Sequence, residues 1–337
     1  MTCFCVAQEQ DSLNLKEKDD FITNYTRHLN VKLEFSNDIQ SFIIPISSNK
    51  IKVQPNLGHR YAAVLSYKFL TVRLGIRPPT SEESIRNNGE SSSFRLKVIM
   101  LFDNWGHRLE YNRVKGYYTS DVLPNYKLDP SVYKNNIQFP EMTTNVFYGS
   151  TLYKLNPNYS IRATISQTEA QKKSTGSFIP SIDYAFYDIR GLDYFINKDG
   201  SKKTLDPSIS STSFDLRLNL GYHYTYVLKK WFANGQVKAG CGNSFNWVSS
   251  DSETNYHNNF VYGYDLLASI GYNSDRIFFG TTFNHRATKE PNNVNTVTIF
   301  SSKNSYSIYL GYRFKAPKKF VKPIDDIEER IPILQRE

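Results

Sequence analysis

Side chains of the types that do catalysis are few and widely spaced in this sequence. His223 and Asp215 share the polar face of one alternating stretch, but eight extended residues put them roughly 26 Å apart, too far for an acid–base pair. His107 and His285 show no spacing to a serine and a carboxylate that would indicate a lipid hydrolase. His257 has no neighbouring metal ligands, and no phosphate-binding loop or dinucleotide fingerprint occurs. We therefore expect no catalytic residues, no metal and no cofactor, with a lipid-acting enzyme kept only as an alternative.

The stretch that carries His223 and Asp215, residues 213–226, predicts its own structure. Its apolar positions are Phe214, Leu216, Leu218, Leu220, Tyr222, Tyr224 and Tyr226. They alternate with polar residues, which is the period of a strand with one apolar and one polar face. Soluble strands are usually about five or six residues long, whereas a tilted strand that crosses a bilayer needs about nine to eleven. The pattern therefore predicts a transmembrane β-strand.

The composition of the chain fits a barrel built from such strands. The 337 residues include 24 Tyr and 22 Phe, yet the mean hydropathy is −0.50 and no run of eighteen apolar residues occurs. A transmembrane helix is excluded, while alternating strands average out as hydrophilic. The net charge of +9 suggests nucleic-acid binding as one hypothesis. The basic residues are spread singly through alternating strands, however, so we expect no nucleic-acid partner.

Regular alternation from about residue 57 to residue 314 predicts an all-β fold, a single antiparallel transmembrane β-barrel in the cell outer membrane. Twelve strands are clear, and fourteen are counted if a strand within 191–197 and one N-terminal strand are added. Residues 143–155 and 159–167 are predicted as a hairpin joined by Asn156-Pro157-Asn158, and 190–212 as a polar loop. Long and short loops alternate as expected for such barrels, except at 190–212, where the parity is off by one strand.

The two ends of the chain differ in composition from this barrel, which we place at residues 30–314. Residues 1–7 resemble the remnant of a secretory signal, with Cys5 and Ala7 at the −3 and −1 positions and cleavage before Gln8. A disordered start without a targeting role is the alternative. Residues 8–29 are charged and are predicted as a short periplasmic strap, and 315–337 as a charged periplasmic tail.

The polar faces of the predicted strands carry an excess of basic residues. The predicted lumen-lining residues are Arg60, Arg73, Arg95, Lys97, Arg162, Asp215, Arg217, Lys238, Asp265 and Arg313. Basic rings in a pore favour anions, so one hypothesis is an anion-favouring lumen, and the alternative is salt-bridged filler. The predicted aromatic girdle at the membrane interfaces consists of Tyr222, Tyr224, Tyr226, Trp231, Trp247, Tyr312 and Phe314.

Several short motifs resemble an uncharacterised family, a domain of unknown function, of predicted outer-membrane barrels from Bacteroidota. They are Gln54-Pro55-Asn56, Ser66-Tyr67-Lys68, the run from Trp105-Gly106 through Tyr111-Asn112 to Lys115-Gly116-Tyr117-Tyr118, and the less specific Gly311-Tyr312-Arg313-Phe314. The resemblance covers residues 20–314. It implies an outer-membrane barrel and brings no substrate or catalytic residues.

The function predicted from these patterns is that of an outer-membrane barrel without enzymatic activity. It is either a passive pore with an anion-favouring lumen or a structural or surface-binding barrel. A secreted soluble β-rich protein that binds a carbohydrate or a protein is the alternative. The expected partners are outer-membrane lipid and, during insertion, the barrel-assembly machinery. Both an open and a plugged lumen fit these patterns.

Overall fold

The computed structural model describes residues 20–37, 41–46, 49–121, 136–249, 254–289 and 303–330. The predicted signal remnant at 1–7 and most of the predicted strap lie outside these ranges. The strands are β1 (Ile22–Asn24), β2 (His28–Asn37), β3 (Phe42–Ile46), β4 (Asn49–Val53), β5 (Arg60–Tyr67), β6 (Leu70–Ile76), β7 (Ser92–Leu101), β8 (Trp105–Thr119), β9 (Ile137–Tyr153), β10 (Glu169–Gln171), β11 (Thr175–Ile196), β12 (Lys202–Leu228), β13 (Trp231–Ser249), β14 (Thr254–Asn273), β15 (Ile277–Lys289) and β16 (Lys303–Lys315). The helices are α1 (Glu82–Asn88), α2 (Arg162–Ile165) and α3 (Lys318–Arg330).

Twelve of these strands form one closed antiparallel barrel, as the alternation predicts. In chain order they are β2, β5 to β9 and β11 to β16, and each pairs with its neighbours in that order. The first and last strands, β2 and β16, pair from Asn37–Tyr306 to His28–Lys315 and close the wall. Closure leaves no unpaired strand edge, which is the condition for a sheet to span a membrane.

The connections differ between the two ends of the barrel. At one end, here called the turn end, strands are joined by short turns at 68–69, 102–104, 229–230 and 274–276. Lys68 and Lys229 have φ of 49° and 58° in two of these turns. The opposite end, here called the loop end, carries the long connections 38–59, 77–91, 120–136 and 290–302 and two shorter ones, 197–201 and 250–253. One long connection, residues 154–174, belongs to the turn end and is described below as the plug.

Two predicted segments are wrong. Correcting them makes successive strands alternate in direction between the turn end and the loop end throughout the barrel. Residues 159–167 are not a wall strand, since they contain α2 and lie in the plug. Residues 190–212 are not a loop, because β11 runs to Ile196 and β12 starts at Lys202. Removing the false strand at 159–167 and adding β2 gives twelve strands and consistent parity. The register of β11 shifts between Ile189 and Leu192, beside Gly191 with φ of 76°, and this bulge interrupts the period that predicts a strand.

The barrel wall is apolar outside and polar inside, the reverse of a soluble β-sandwich. On β12, Leu216, Leu218 and Leu220 are exposed on the outer face, while Arg217 and Asn219 are buried on the lumen side. The same holds for Ile308 and Leu310 on β16. A continuous outward apolar band of this kind is what a bilayer covers. The protein is therefore an outer-membrane β-barrel.

The described segments before β2 and after β16 pack at the turn end. The helix α3 follows β16, and its Asp325 and Glu328 carboxylates pair with the Lys68 ammonium group. Asp325 also accepts a hydrogen bond of 3.1 Å from the hydroxyl of Tyr67. At the N-terminal side, β1 pairs with β10 of the plug. Within the described ranges, none of the helices is both long and apolar enough to cross a bilayer.

Candidate functional site: a plugged and lidded lumen

Nine of the ten predicted lumen-lining residues lie on barrel strands with their side chains turned inward. Arg60, Arg73, Arg217, Asp265 and Arg313 are buried there, Lys238 forms ion pairs with inward carboxylates, and Arg95, Lys97 and Asp215 line the central cavity. The tenth, Arg162, is buried in α2 of the plug and does not stand on the wall. His223 and Asp215 lie apart, as their spacing along the strand predicts. The His223 ring lies 6.2 Å from the Tyr159 ring, and Asp215 accepts a hydrogen bond of 2.5 Å from Ser244.

Part of the lumen charge is neutralised in a ladder of ion pairs. Asp183 accepts from Lys238 at 2.7 Å and from Arg217 at 3.2 Å. Asp265 pairs with Arg286 at 2.9 Å and with Lys238 at 3.1 Å. Each of these carboxylates pairs with two cations, so replacing either Asp183 or Asp265 by a neutral residue would leave buried positive charge uncompensated. The expected cost is about 3–5 kcal/mol. These residues are structural filler as well as lumen lining.

The plug, residues 154–174, enters the lumen from the turn end and is built around a buried polar network. The Arg162 guanidinium pairs with Glu169 at 3.2 Å and donates to the backbone oxygen of Leu101 at 2.7 Å. The Ser160 hydroxyl donates to Glu169 at 2.6 Å, and Gln171 accepts from the Ser160 amide at 2.8 Å. Each buried polar group thereby gains a partner, as a polar interior requires.

The plug is joined to the wall mainly by hydrogen bonds, which meet at Gln167. Its backbone oxygen accepts from Asn30 at 2.7 Å and from Arg313 at 2.5 Å, and its side-chain oxygen accepts from Lys32 at 3.1 Å. Gln167 has φ of 54°, a left-handed conformation that costs a non-glycine residue about 1–3 kcal/mol. Wall donors on β2 and β16 therefore hold a strained residue of the plug in place.

The apolar side of the plug packs on a small cluster near the turn end. Tyr159 and Ile161 are buried against Ile99, Leu101 and Ile179 of the wall. The Tyr159 hydroxyl accepts a hydrogen bond of 3.1 Å from Asn234. The strand β10 continues this packing into the mouth of the barrel, where it pairs with β1.

At the loop end, the hairpin of β3 and β4 forms a lid. Phe42, Ile44, Ile51 and Val53 are buried in it. They pack on inward residues of the tall wall formed by β8, β9 and β11, namely Val114, Tyr117, Ile137, Phe139, Met142, Val146, Ile189, Leu192 and Phe195. Backbone hydrogen bonds of 2.9 Å in both directions between Gln54 and Tyr118 fix the end of the hairpin to β8. The plug is thus joined to the wall mainly by polar contacts, whereas the lid is joined to it by an apolar core.

Between plug and lid the lumen holds a cavity of about 310 Å³. Its seven basic lining residues are Lys32, Arg73, Arg95, Lys97, Arg108, Arg217 and Arg286, and its four acidic ones are Glu34, Glu110, Asp183 and Asp215. Basic lining residues outnumber acidic ones, so the lining carries an excess of positively charged side chains. Its volume lies at the lower end of the range of small-molecule pockets, about 300–1,000 Å³.

Sequence reasoning missed four of these charged residues, although their alternation was visible, namely Lys32, Glu34, Arg108 and Arg286. Arg108 and Glu110 lie on the same face of β8, opposite Leu109, so the period that places Glu110 inward also places Arg108 inward. Lys32 alternates with Val31 and Leu33, but a single short segment does not reveal that it pairs with the last strand of the chain.

Two groups at the turn end have perturbed acidity. Burial and the hydrogen bond of 2.7 Å to Asp275 raise the pKa of Tyr25 to about 12. Burial alone would lower the pKa of Lys68, but the carboxylates of Asp325 and Glu328 outweigh it, so that pKa lies above its usual value. Both groups keep their protonated forms at neutral pH and serve as hydrogen-bond donors.

The seven residues of the predicted aromatic girdle all lie on the outer surface. Tyr222, Tyr224 and Tyr226 of β12 precede the turn at 229–230, and Trp231 follows it. Tyr312 and Phe314 lie at the same end of β16, whereas Trp247 stacks near Tyr256 towards the loop end. Amphipathic rings at these levels suit the headgroup region of a bilayer.

The sequence from residue 9 to residue 314 matches the profile of a family described as Domain of unknown function (DUF4421). The chain belongs to this family. No curated protein matches it at a significant level. The family description carries no activity, so the chemistry of the lumen has to be argued from the residues themselves.

Solved structures with a similar course of the chain are bacterial barrels of low identity. The translocator domain of the autotransporter NalP from Neisseria meningitidis is 12% identical with a TM-score of 0.37, and the match covers 93% of this chain and 96% of that one. The β-domain of the Bordetella autotransporter BrkA is 10% identical with a TM-score of 0.36, over 85% and 98%. The Ralstonia pickettii toluene transporter TbuX is 9% identical with a TM-score of 0.31, over 88% and 89%.

Proposed function

We propose that this barrel is a gated conduit for small anions across the outer membrane, closed by its plug in the state described above. The observation that carries the proposal is the cavity between plug and lid, which seven basic and four acidic residues line. A permanently open pore needs neither the plug nor the lid. A barrel that is purely structural does not need an excess of positive charge around a cavity.

The connectivity of the plug supports its role as a gate. Both of its ends leave the lumen at the turn end, because β9 ends at Tyr153 and β11 begins at Thr175 on the same rim. The plug can therefore leave the lumen without breaking the wall. Its contacts to Asn30, Lys32 and Arg313 are hydrogen bonds. Because water replaces them on opening, the neutral donor contributes only about 0.5–1.5 kcal/mol and each charged donor about 1.5–3 kcal/mol.

Single-channel recording in a planar bilayer tests the proposal. We expect the wild-type protein to conduct in rare events and a variant with residues 159–172 replaced by Gly-Gly-Ser-Gly to conduct continuously. In a salt gradient, the reversal potential of that variant should have the sign of anion preference, since the basic wall residues stay in place. The substitution Lys32→Met, which removes the donor to Gln167 and Ile165, should raise the open fraction without deleting any backbone.

A matched control replaces Lys198–Ser201 in the β11–β12 turn by the same linker, which leaves the plug intact and should leave conductance unchanged. Anomalous gel migration before boiling shows that each variant is folded. Cation preference of the plug-deleted barrel contradicts the proposal. So does a folded plug-deleted barrel that does not conduct.

A structural barrel with an ion-paired interior is the second candidate. The observation that favours it is the ladder in which Asp183 and Asp265 hold Arg217, Lys238 and Arg286. On this alternative the lumen charges serve stability alone. The absence of conductance in the folded plug-deleted barrel would then be the expected result.

The remaining parts of the proposal concern the absence of catalysis, the partners, the orientation in the membrane and the origin of the protein. We propose a role without catalysis, with outer-membrane lipid and the barrel-assembly machinery as partners, supported by the outward apolar band and the closed wall. We also propose that the turn end faces the periplasm, because barrels of this kind have short periplasmic turns. An origin in Bacteroidota is supported by the sequence motifs alone.

A further inference from the structure

The central cavity has two unlike walls. Strands β6 to β8 present Arg73, Arg95, Lys97 and Arg108, here called the cationic wall. Strands β15, β16 and β2 present the hydroxyl groups of Ser36, Thr282, Thr288, Ser305 and Ser307, here called the hydroxyl wall. In the closed order of strands, β15 and β8 are separated by five strands on either side and lie opposite each other. At their other edges the two walls approach, since only β5 separates β2 from β6 and Arg73 donates to the Ser36 hydroxyl at 3.0 Å.

The cationic wall has fewer carboxylates than cations. Arg73 pairs with Glu34 at 2.6 Å, and Glu110 is shared between Arg95 and Lys97, which lies at 3.5 Å. Arg108 has no carboxylate within ion-pair distance in the part of the chain that the structure describes. A positive charge that lines a cavity without a counter-ion attracts an anion from solution.

Unsatisfied polar atoms mark the same place. Among the described residues, the Nε atoms of Arg73 and Arg108 and the hydroxyl of Tyr148 are buried without a hydrogen-bond partner. Tyr148 is the neighbour of Glu110 across the β8–β9 pairing, and the Arg286 guanidinium carbon lies 5.5 Å from the centre of its ring. Buried polar groups without partners cost about 1–3 kcal/mol each, so an acceptor placed among these three donors would be stabilised.

The geometry points to a ligand with two kinds of group. We propose that the cavity binds a small oxyanion that also carries hydroxyl groups, the chemistry of a phosphorylated or carboxylated carbohydrate. Its oxyanion lies against Arg108, Arg73 and Tyr148, since guanidinium N–H groups match the oxygens of phosphate and carboxylate. Its hydroxyl groups face the hydroxyl wall and Asn112, whose buried side-chain oxygen also has no partner among the described residues. This inference deepens the proposed function by naming the class of solute.

Isothermal titration of the purified full-length barrel in detergent tests the site at constant ionic strength. The probes are glucose 6-phosphate, inorganic phosphate and glucose. We expect saturable binding of glucose 6-phosphate, weaker binding of phosphate and none of glucose. Arg108→Gln should weaken glucose 6-phosphate binding at least about tenfold, and Tyr148→Phe, which removes only the hydroxyl, about threefold or more.

Arg190→Gln is the matched control, because the Arg190 side chain is largely exposed and pairs with Asp188 outside the cavity. It should bind like the wild type, and all variants must keep the anomalous gel migration of a folded barrel. No saturable heat with glucose 6-phosphate, or unchanged affinity in folded Arg108→Gln, overturns the site. Equal affinity for phosphate and glucose 6-phosphate overturns the role of the hydroxyl wall. Because the titration does not require conduction, binding in a barrel that never conducts leaves the site standing and refutes only the conduit.

Discussion

At the residue scale, close packing in the lumen depends on glycines that lie under aromatic rings. Gly311 of β16 pairs with Phe278 of β15, and the fully buried Phe278 ring occupies the space that a Cβ atom at position 311 would need. The Arg313 guanidinium carbon lies 4.7 Å from the centre of the same ring. A glycine here thus allows an aromatic ring and a plug-binding arginine to pack in one place.

We predict that Gly311→Ala destabilises the barrel by about 1–3 kcal/mol, the usual cost of overpacking. The matched change Gly235→Ala places a methyl group in open space, with no atom within 4 Å, and should cost nothing measurable. The free energy of unfolding in urea, followed by tryptophan fluorescence in detergent micelles, measures both. Equal stability of the two variants would contradict the packing argument.

At the element scale, the plug is held to the N-terminal segment by the β1–β10 pairing. Ile22 pairs with Gln171 and is buried, and the backbone amide of Lys172 donates to Phe21 at 2.7 Å. The N-terminal segment therefore forms one small sheet with the part of the plug at the mouth of the barrel. Any displacement of one strand disturbs the other.

We predict that Ile22→Ala loosens the plug, because truncating a buried isoleucine costs about 2–5 kcal/mol. Hydrogen exchange of the amides at Glu169–Gln171 should accelerate more than about tenfold. Asp20→Ala, on the same segment, removes only the exposed pair with Lys173 at 3.4 Å, which contributes about 0–1 kcal/mol. If both variants exchange alike, the buried contact of β1 does not hold the plug.

Long strands could be predicted from the sequence because their alternation of apolar and polar residues continues without interruption by turn residues. The stretch 213–226 within β12 is an example. The plug could not be predicted. Ile161 and Ile165 are four residues apart and also fit an alternating strand, so a short apolar run does not distinguish a helical turn from a strand. The end of β11 after Gly191 could not be predicted, because the bulge at Gly191 shifts the following apolar residues out of the period of two.

At the scale of the whole molecule, the chemistry of the lumen depends on contacts that no local pattern contains. The inward face of each strand was predictable, and with it nine of the ten predicted lining residues. Which cations find a carboxylate was not, because Lys238 reaches Asp183 and Asp265 on two other strands. That Arg108 has no carboxylate partner among the described residues is recognised only once all strands are placed.

We predict the orientation of the barrel by cysteine labelling in intact cells. In a background with Cys3, Cys5 and Cys241 changed to serine, Asp199→Cys in the β11–β12 turn should react with a membrane-impermeant maleimide. Lys229→Cys in the turn before β13 should react only after permeabilisation, because the turn end, which has the shortest connections, should face the periplasm. The reverse pattern would show that the loop end faces inward.

The seam between β2 and β16 has a consequence for how the molecule is made. It joins positions such as Asn37 and Tyr306, near opposite ends of the chain, so its contact order is high and its loop-closure entropy large. All other wall pairings join consecutive barrel strands, so the loop that must be closed to form each of them is much shorter. We therefore expect closure to be the last step of folding, after the middle of the chain has curled around residues 154–174. The plug is therefore captured by a closing wall, and a chain that ends before β16 leaves a sheet with two free edges and an exposed charged interior.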